Sequence, residues 1–182
     1  MTEILLVRHA ETDLKGTFCG HSDPALNEAG LAQLPAIIDA IGNRPVETIL
    51  SSDLHRARET AEPIAQHYGA KLLLRPGLRE IFFGEWEGLR WQQIEERDPS
   101  FARDWMNSFP RLTPPGGEPV IAFEARVQSE LICLSELARN SALLVVTHAG
   151  VMRAMLKAQG LSEQETWTAT RNYGAVLPCR FG

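Results

Sequence analysis

The sequence lacks the features that would place it in several large classes. Its three cysteines, Cys19, Cys133 and Cys179, are far apart and form no CxxC pair. That spacing fits neither a disulfide scaffold nor a zinc site. No long basic block interrupts a chain of net charge −5, and clustered cations are what a general nucleic-acid binder uses to follow phosphates. No apolar run approaches the ~20 residues that span a bilayer. The N-terminus shows no charged segment followed by an apolar stretch and a cleavage site. Internal repeats and low-complexity tracts are missing, and no GxGxxG follows the first apolar run, which disfavours a dinucleotide-binding domain. These absences set the expectation of a cytoplasmic protein, monomer or homodimer, with neither a membrane nor a nucleic-acid partner.

What is present suits one domain over residues 1–182, with 44% apolar residues to build its core. Residues 4–7, 48–50, 71–74 and 143–146 are compact and apolar, as strands buried on both faces are. Residues 173–181 predict one more strand, at an edge because Pro178 has no ladder donor. Asn27 caps a predicted helix over 28–41 that stops at Gly42, and Ser52 or Asp53 caps another over 54–68 that stops at Gly69. Pro35 and Pro63 inside them should each remove a backbone bond and bend or split the helix. Further helices are expected over 91–97, from Pro99 with Phe101 and Trp105 on one face, from Pro119 to about Arg139, and over 150–159. Strand–helix alternation of this kind implies an α/β fold: a three-layer sandwich whose mostly parallel central sheet has helices on both faces.

In such sheets ligands bind beyond the carboxyl ends of the strands. Three of those ends carry unusual residues. Arg8 and His9 follow the first apolar run; Ser51, Ser52 and Asp53 follow the second, with His55 and Arg56 just beyond; Thr147 and His148 follow 143–146. Singly, each piece reads as a solvated loop or a surface charge. Jointly they bring two arginines and two histidines to one rim. Guanidinium groups match phosphate oxygens with paired donors, and a neutral imidazole is a nucleophile toward phosphorus. Cationic neighbours should disfavour its protonation. The pattern points to phosphoryl chemistry.

The motifs also carry a resemblance. LVRHAET resembles the RHG signature of the histidine phosphatase superfamily, whose fold is phosphoglycerate mutase-like. SSDLHRARETA is similar to that family's second-arginine motif, LREIFFGEWEG to the segment bearing its acid, and VVTHAGVMR to its second histidine. The resemblance runs from Ile4 to Arg153 in family order. It implies that His9 is the nucleophile and becomes phosphohistidine, and that Arg8, Arg56 and His148 surround the phosphoryl oxygens. It implies that Glu80 is the proton donor, with a raised pKa so that it keeps its proton near neutrality. Thr12, Cys19, Gly20 and Ala149 would line the phosphate pocket. Two departures stand out: Ala10 replaces the glycine after the histidine, and Lys15 replaces an asparagine, either reaching the phosphate or pointing to solvent. No metal and no cofactor is implied; the expected partner is a small phosphorylated substrate.

The middle segment, FGEWEGLRWQQIEERDP with PPGGE, looks most like α-ribazole-5′-phosphate phosphatases and related small phosphatases. Phe83, Trp86 and Trp91 read as an apolar wall for a leaving group or as core, with core expected for at least two. Within the family, a phosphoglycerate mutase and a phosphohistidine protein phosphatase are the alternatives; outside it, a non-enzymatic binding module would have lost a catalytic position.

Overall fold

In the computed structural model, residues 2–108 and 112–181 are described, with only the backbone of residues 2 and 181. Five strands form one sheet in the order β3-β2-β4-β1-β5. They are β1 (Thr2–Arg8), β2 (Thr48–Ser51), β3 (Lys71–Leu74), β4 (Leu143–Thr147) and β5 (Val176–Phe181). β1 runs parallel to β4, and β2 runs parallel to both β4 and β3. Only β5 is antiparallel, pairing with β1 at the edge. Pro178 is therefore tolerated where the sequence placed it.

The period-2 alternation of the strands separates two cores. Ile4, Leu6, Leu50, Leu143 and Val145 pack on one face. Leu5, Val7, Ile49, Leu144 and Val146 pack on the other. The first face is covered by α5 (Val120–Leu137) and α6 (Ala149–Lys157), through Phe123, Val127, Leu131, Met152 and Met155. The second is covered by α1 (Glu28–Ile41) and α2 (His55–Tyr68), through Ile37, Ile41, Ala57, Ala61 and Ile64. This is the expected three-layer α/β sandwich. A third cluster lies off the sheet. There α3 (Trp91–Arg97) and α4 (Pro99–Ser108) close over Trp86, with Phe18, Phe83, Trp91 and Trp105 packed around it.

Several sequence expectations need correction. β3 is an edge strand with Leu73 and Leu74 exposed, not a strand buried on both faces. α1 and α2 each remain one helix through Pro35 and Pro63. Both prolines lie at exposed or half-exposed positions, where a carbonyl that loses its bond can turn to water. Neither Ser52 nor Asp53 acts as the side-chain N-cap of α2. Asp53 is committed to Arg79, and the His55 amide donates instead to Asp23 Oδ1 at 2.5 Å. α5 stops at Leu137, and the Glu118 carboxylate before it pairs with Arg126. β5 starts at Val176 rather than at Tyr173. One helix was not expected at all: α7 (Glu163–Ala169), whose Ser162-x-x-Glu165 capping box stands plainly in the sequence. The expected Asn27 cap is formed, its side chain accepting from the Gly30 amide at 2.8 Å. Asn27→Ala should therefore cost about 1 kcal/mol of stability, read as a lower urea midpoint at unchanged slope; an unmoved midpoint would show the cap to be inert.

Candidate active site

The site is assembled at the carboxyl ends of β1, β2 and β4. The His9 amide donates to Thr147 O at 2.9 Å, which ties the end of β1 to the end of β4. The His9 ring, 6% exposed, places Nδ1 2.7 Å from the Ala10 carbonyl. A carbonyl only accepts, so Nδ1 carries the proton and Nε2 keeps its lone pair. Arg56 Nε donates to that Nε2 at 3.3 Å. Ala10 is buried with negative φ, and its amide donates to Thr60 Oγ1 at 3.0 Å. The methyl group is thus housed without backbone strain.

Arg56 has 0% exposure and makes no ion pair among the described residues. Its terminal nitrogens donate to the carbonyls of Ser22 at 2.7 Å, Gly20 at 2.7 Å and Cys19 at 3.3 Å. Those carbonyls belong to a loop drawn in by one carboxylate. Glu87 accepts from the amides of Gly20, His21, Ser22 and Phe83 and from Ser22 Oγ. Burial pushes the Glu87 pKa up, but the bonds from Ser22, Phe83 and His21 outweigh it and leave it below the ordinary carboxylate value. A side chain at Gly20 would meet Ile81 O at 2.2 Å, so the loop passes here only as glycine.

His148 lies with its ring centroid 5.0 Å from that of His9. Its Nε2 is 2.8 Å from Ser52 Oγ, which itself accepts from the Leu54 amide. The Ser52 hydroxyl proton is then free to go to Nε2, which makes His148 Nδ1 an N–H donor. That Nδ1 is buried without a hydrogen-bond partner. Arg8 is steered from the other side. Its Nη1 donates to the carbonyls of Thr170 and Arg171 at 2.9 and 2.7 Å, and its guanidinium lies 3.9 Å over the Tyr173 ring. Burial holds the pKa of both histidines well below their ordinary value, reinforced by the cations Arg56 and Arg8. The site is thus two neutral imidazoles facing two guanidiniums.

Glu80, 8% exposed, points into the same space. Its Oε2 accepts from the Gly150 amide at the start of α6 at 2.9 Å, and its Oε1 from the Ile81 amide at 3.0 Å. Any Cβ at Gly150 would come within 2.2 Å of Glu80 Oε1, so this carboxyl position requires glycine there. Arg126 fixes the backbone behind it, donating to Glu80 O at 2.9 Å.

A cavity of about 360 Å³ opens from these groups. Arg8, His9, Thr12, Cys19, Glu80 and Ala149 line it; Arg56 and His148 adjoin it through their contacts with His9, and the Gly20 carbonyl is turned to Arg56. Lys15 does not join them. Its amine pairs with Glu11 at 2.5 Å and its side chain is 62% exposed, because a carboxylate four residues back captures the charge at the surface. Of the three expected aromatics, Trp86 is core, and Phe83 and Trp91 pack against it while also lining the cavity, joined by Phe18 and Trp105. Sequence reasoning missed Ser52, Thr60, Glu87, Arg126, Gly150, Arg153 and Tyr173. Ser52, Thr60, Glu87, Gly150 and Arg153 lie within the quoted motifs without showing a role there; Arg126 and Tyr173 carried no signal. Among the described residues no three His, Cys, Asp or Glu side chains converge to hold a metal ion, and no helix is long and apolar enough to cross a membrane.

Comparison with known proteins agrees with this geometry. The family model of the histidine phosphatase superfamily (branch 1) matches residues 4–181. An adenosylcobalamin/α-ribazole phosphatase of Salmonella typhimurium is 29% identical over 153 residues, covering 83% of this chain and 76% of the relative. A metal-independent phosphoserine phosphatase of Arabidopsis thaliana is 36% identical, covering 85% of this chain and 67% of its own. The crystal structure of the α-ribazole phosphatase from Shigella flexneri superposes with a TM-score of 0.86 at 27% identity, over 99% of this chain and 91% of that one.

The depressed histidines have a consequence for stability. Below the ordinary value of 6.5 the unfolded chain takes up protons that the folded imidazoles refuse. Stability is therefore unaffected by these groups above that pH and falls as pH drops through it, by up to about 1.4 kcal/mol per pH unit for each histidine. Urea unfolding between pH 7 and pH 5 should show a shallower loss for His9→Gln than for the parent. Parallel curves would mean that His9 protonates as readily folded as unfolded.

Proposed function

The chain belongs to the histidine phosphatase superfamily (branch 1), and we propose that its phosphatase activity proceeds through a phosphohistidine on His9, without a metal ion. The observation that carries this reading is the His9 ring itself: Nδ1 is committed to the Ala10 carbonyl, and Nε2 meets the Arg56 guanidinium as an unprotonated nitrogen. The phosphoryl group of a monoester would sit against Arg8, Arg56 and the buried Nδ1–H of His148. Nε2 attacks phosphorus, and the Arg56 Nε–H that now rests on Nε2 turns to a phosphoryl oxygen. The P–O ester bond breaks as Glu80 gives its proton to the leaving oxygen. Water then attacks the phosphohistidine, Glu80 takes up a proton, and inorganic phosphate leaves with the Nε2 lone pair restored. The two arginines supply the positive charge that a metal would otherwise bring. We read the whole chain as one catalytic domain, since the groups just named are drawn from Arg8 to His148.

The cavity is larger than a phosphoryl group needs, and its wall of Phe18, Phe83, Trp91 and Trp105 suits an apolar part of the leaving alcohol. α-Ribazole 5′-phosphate, which the names of two relatives carry, and phosphoserine, which the name of a third carries, are the esters to test first.

Three results are expected from a phosphomonoester screen. The parent releases phosphate in the presence of EDTA, and enzyme quenched in alkali carries a label from ³²P-substrate. His9→Ala shows neither. Turnover by His9→Ala at the parent's rate would dismiss the nucleophile, and phosphoryl transfer to a second hydroxyl without phosphate release would replace hydrolysis by a mutase reaction. Glu80→Gln should lower kcat by about 10²- to 10⁴-fold with a near-parental Tm. Glu87→Gln, by contrast, should lower Tm by several degrees because it loosens the loop that holds Arg56. An active Glu80→Gln beside a folded but dead Glu87→Gln would reverse the two roles.

A further inference from the structure

Four charged groups that line the cavity, Glu124, Arg153, Lys157 and Glu163, are used by none of these steps. Arg153 projects from α6 into the same space. Its Nε donates to Ala149 O at 3.1 Å, and its guanidinium lies 3.6 Å over the indole of Trp167. The indole is itself fixed, for its Nε1 donates to Glu163 Oε1 at 2.7 Å, while Glu163 Oε2 is engaged by Lys157. The neighbouring carboxylate on α7 is therefore already occupied. Arg153 makes no ion pair among the described residues, and its two terminal nitrogens donate to no protein group. Burial lowers its pKa, with Glu80 and Glu163 only partly offsetting that from a distance. A half-buried cation held flat by an aromatic platform, with its fork free, is a site lacking its anion.

Its position says which anion. Arg153 stands three residues after Gly150, whose amide holds Glu80. Residues so spaced share a helix face about one turn, or roughly 5 Å, apart. Glu80 faces the ester oxygen that departs, so the fork of Arg153 is reached by an atom a few bonds farther along the leaving group. A planar carboxylate matches two coplanar N–H donors at that distance.

We propose that Arg153, braced on Trp167, anchors a carboxylate carried by the leaving alcohol, so that this enzyme selects phosphate esters of small hydroxy acids or hydroxy amino acids over their uncharged counterparts. The inference rests on the phosphatase reading and ranks substrates within it. Phosphoserine and phosphoethanolamine differ only in the carboxylate and serve as probes. Their binding to the His9→Ala variant, measured by calorimetry, reports the subsite whether or not turnover occurs. Phosphoserine should bind about 10- to 100-fold more tightly, the worth of one charge-assisted pair. Adding Arg153→Gln should bring the two affinities to within about threefold, Arg153→Lys should retain part of the preference, and Trp167→Leu should reduce it. Equal affinities in His9→Ala, or a preference that survives Arg153→Gln, would overturn the proposal. Hydrolysis of p-nitrophenyl phosphate by the parent tests the phosphatase reading separately, so the two can fail independently.

Discussion

A guanidinium with no exposed surface, that of Arg56, sits at the strand ends with no carboxylate to pair it among the described residues. Removing a cation from water costs several kcal/mol unless its donors are met, and Arg56 meets them with main-chain carbonyls and one imidazole. That choice governs what surrounds it. A carboxylate would have neutralised the charge; carbonyls satisfy the hydrogen bonds while leaving the positive field intact. Burial, reinforced by that field, keeps His9 and His148 unprotonated. The carbonyls must then be brought to the arginine, and the five bonds to Glu87 do this from the other side of the loop.

Two acids within one short segment thus have opposite uses. Glu87 is surrounded by donors and organises backbone. Among the described residues Glu80 accepts only from two amides, and it opens on the cavity. Their surroundings separate them, not their place in the sequence: the run from Glu80 to Glu87 offers three glutamates, with Glu85 between, and nothing in the residues alone tells which faces the substrate.

The layers and most element boundaries were legible because hydrophobic period and end signals agreed. Asn27 and Gly42 bracket α1 where they should, and alternating aliphatics in β1 and β4 divide between the two cores. Arg8, His9, Arg56 and His148 were legible because a parallel sheet gathers strand ends. What escaped was set by contacts distant in the chain. Tyr173 under Arg8, Thr60 on the Ala10 amide and Arg126 behind Glu80 are ordinary residues in sequence and acquire their roles only by proximity. The unexpected α7 is the exception, since its capping box could have been read. Of the two readings of Lys15, the structure holds the solvent-facing one, its charge paired with a glutamate one turn away.

β1 ends in Arg8 and leads directly into His9, and both strands that flank it are made long after it. Leu5 lies between Leu144 and Pro178, and Arg8 is aimed by carbonyls of Thr170 and Arg171. A chain emerging from the ribosome must therefore keep an aliphatic strand unpaired until most of the remaining sequence has followed. Pairings so remote fold slowly and leave sticky edges in the interval, so chaperone demand during synthesis should centre on this one segment.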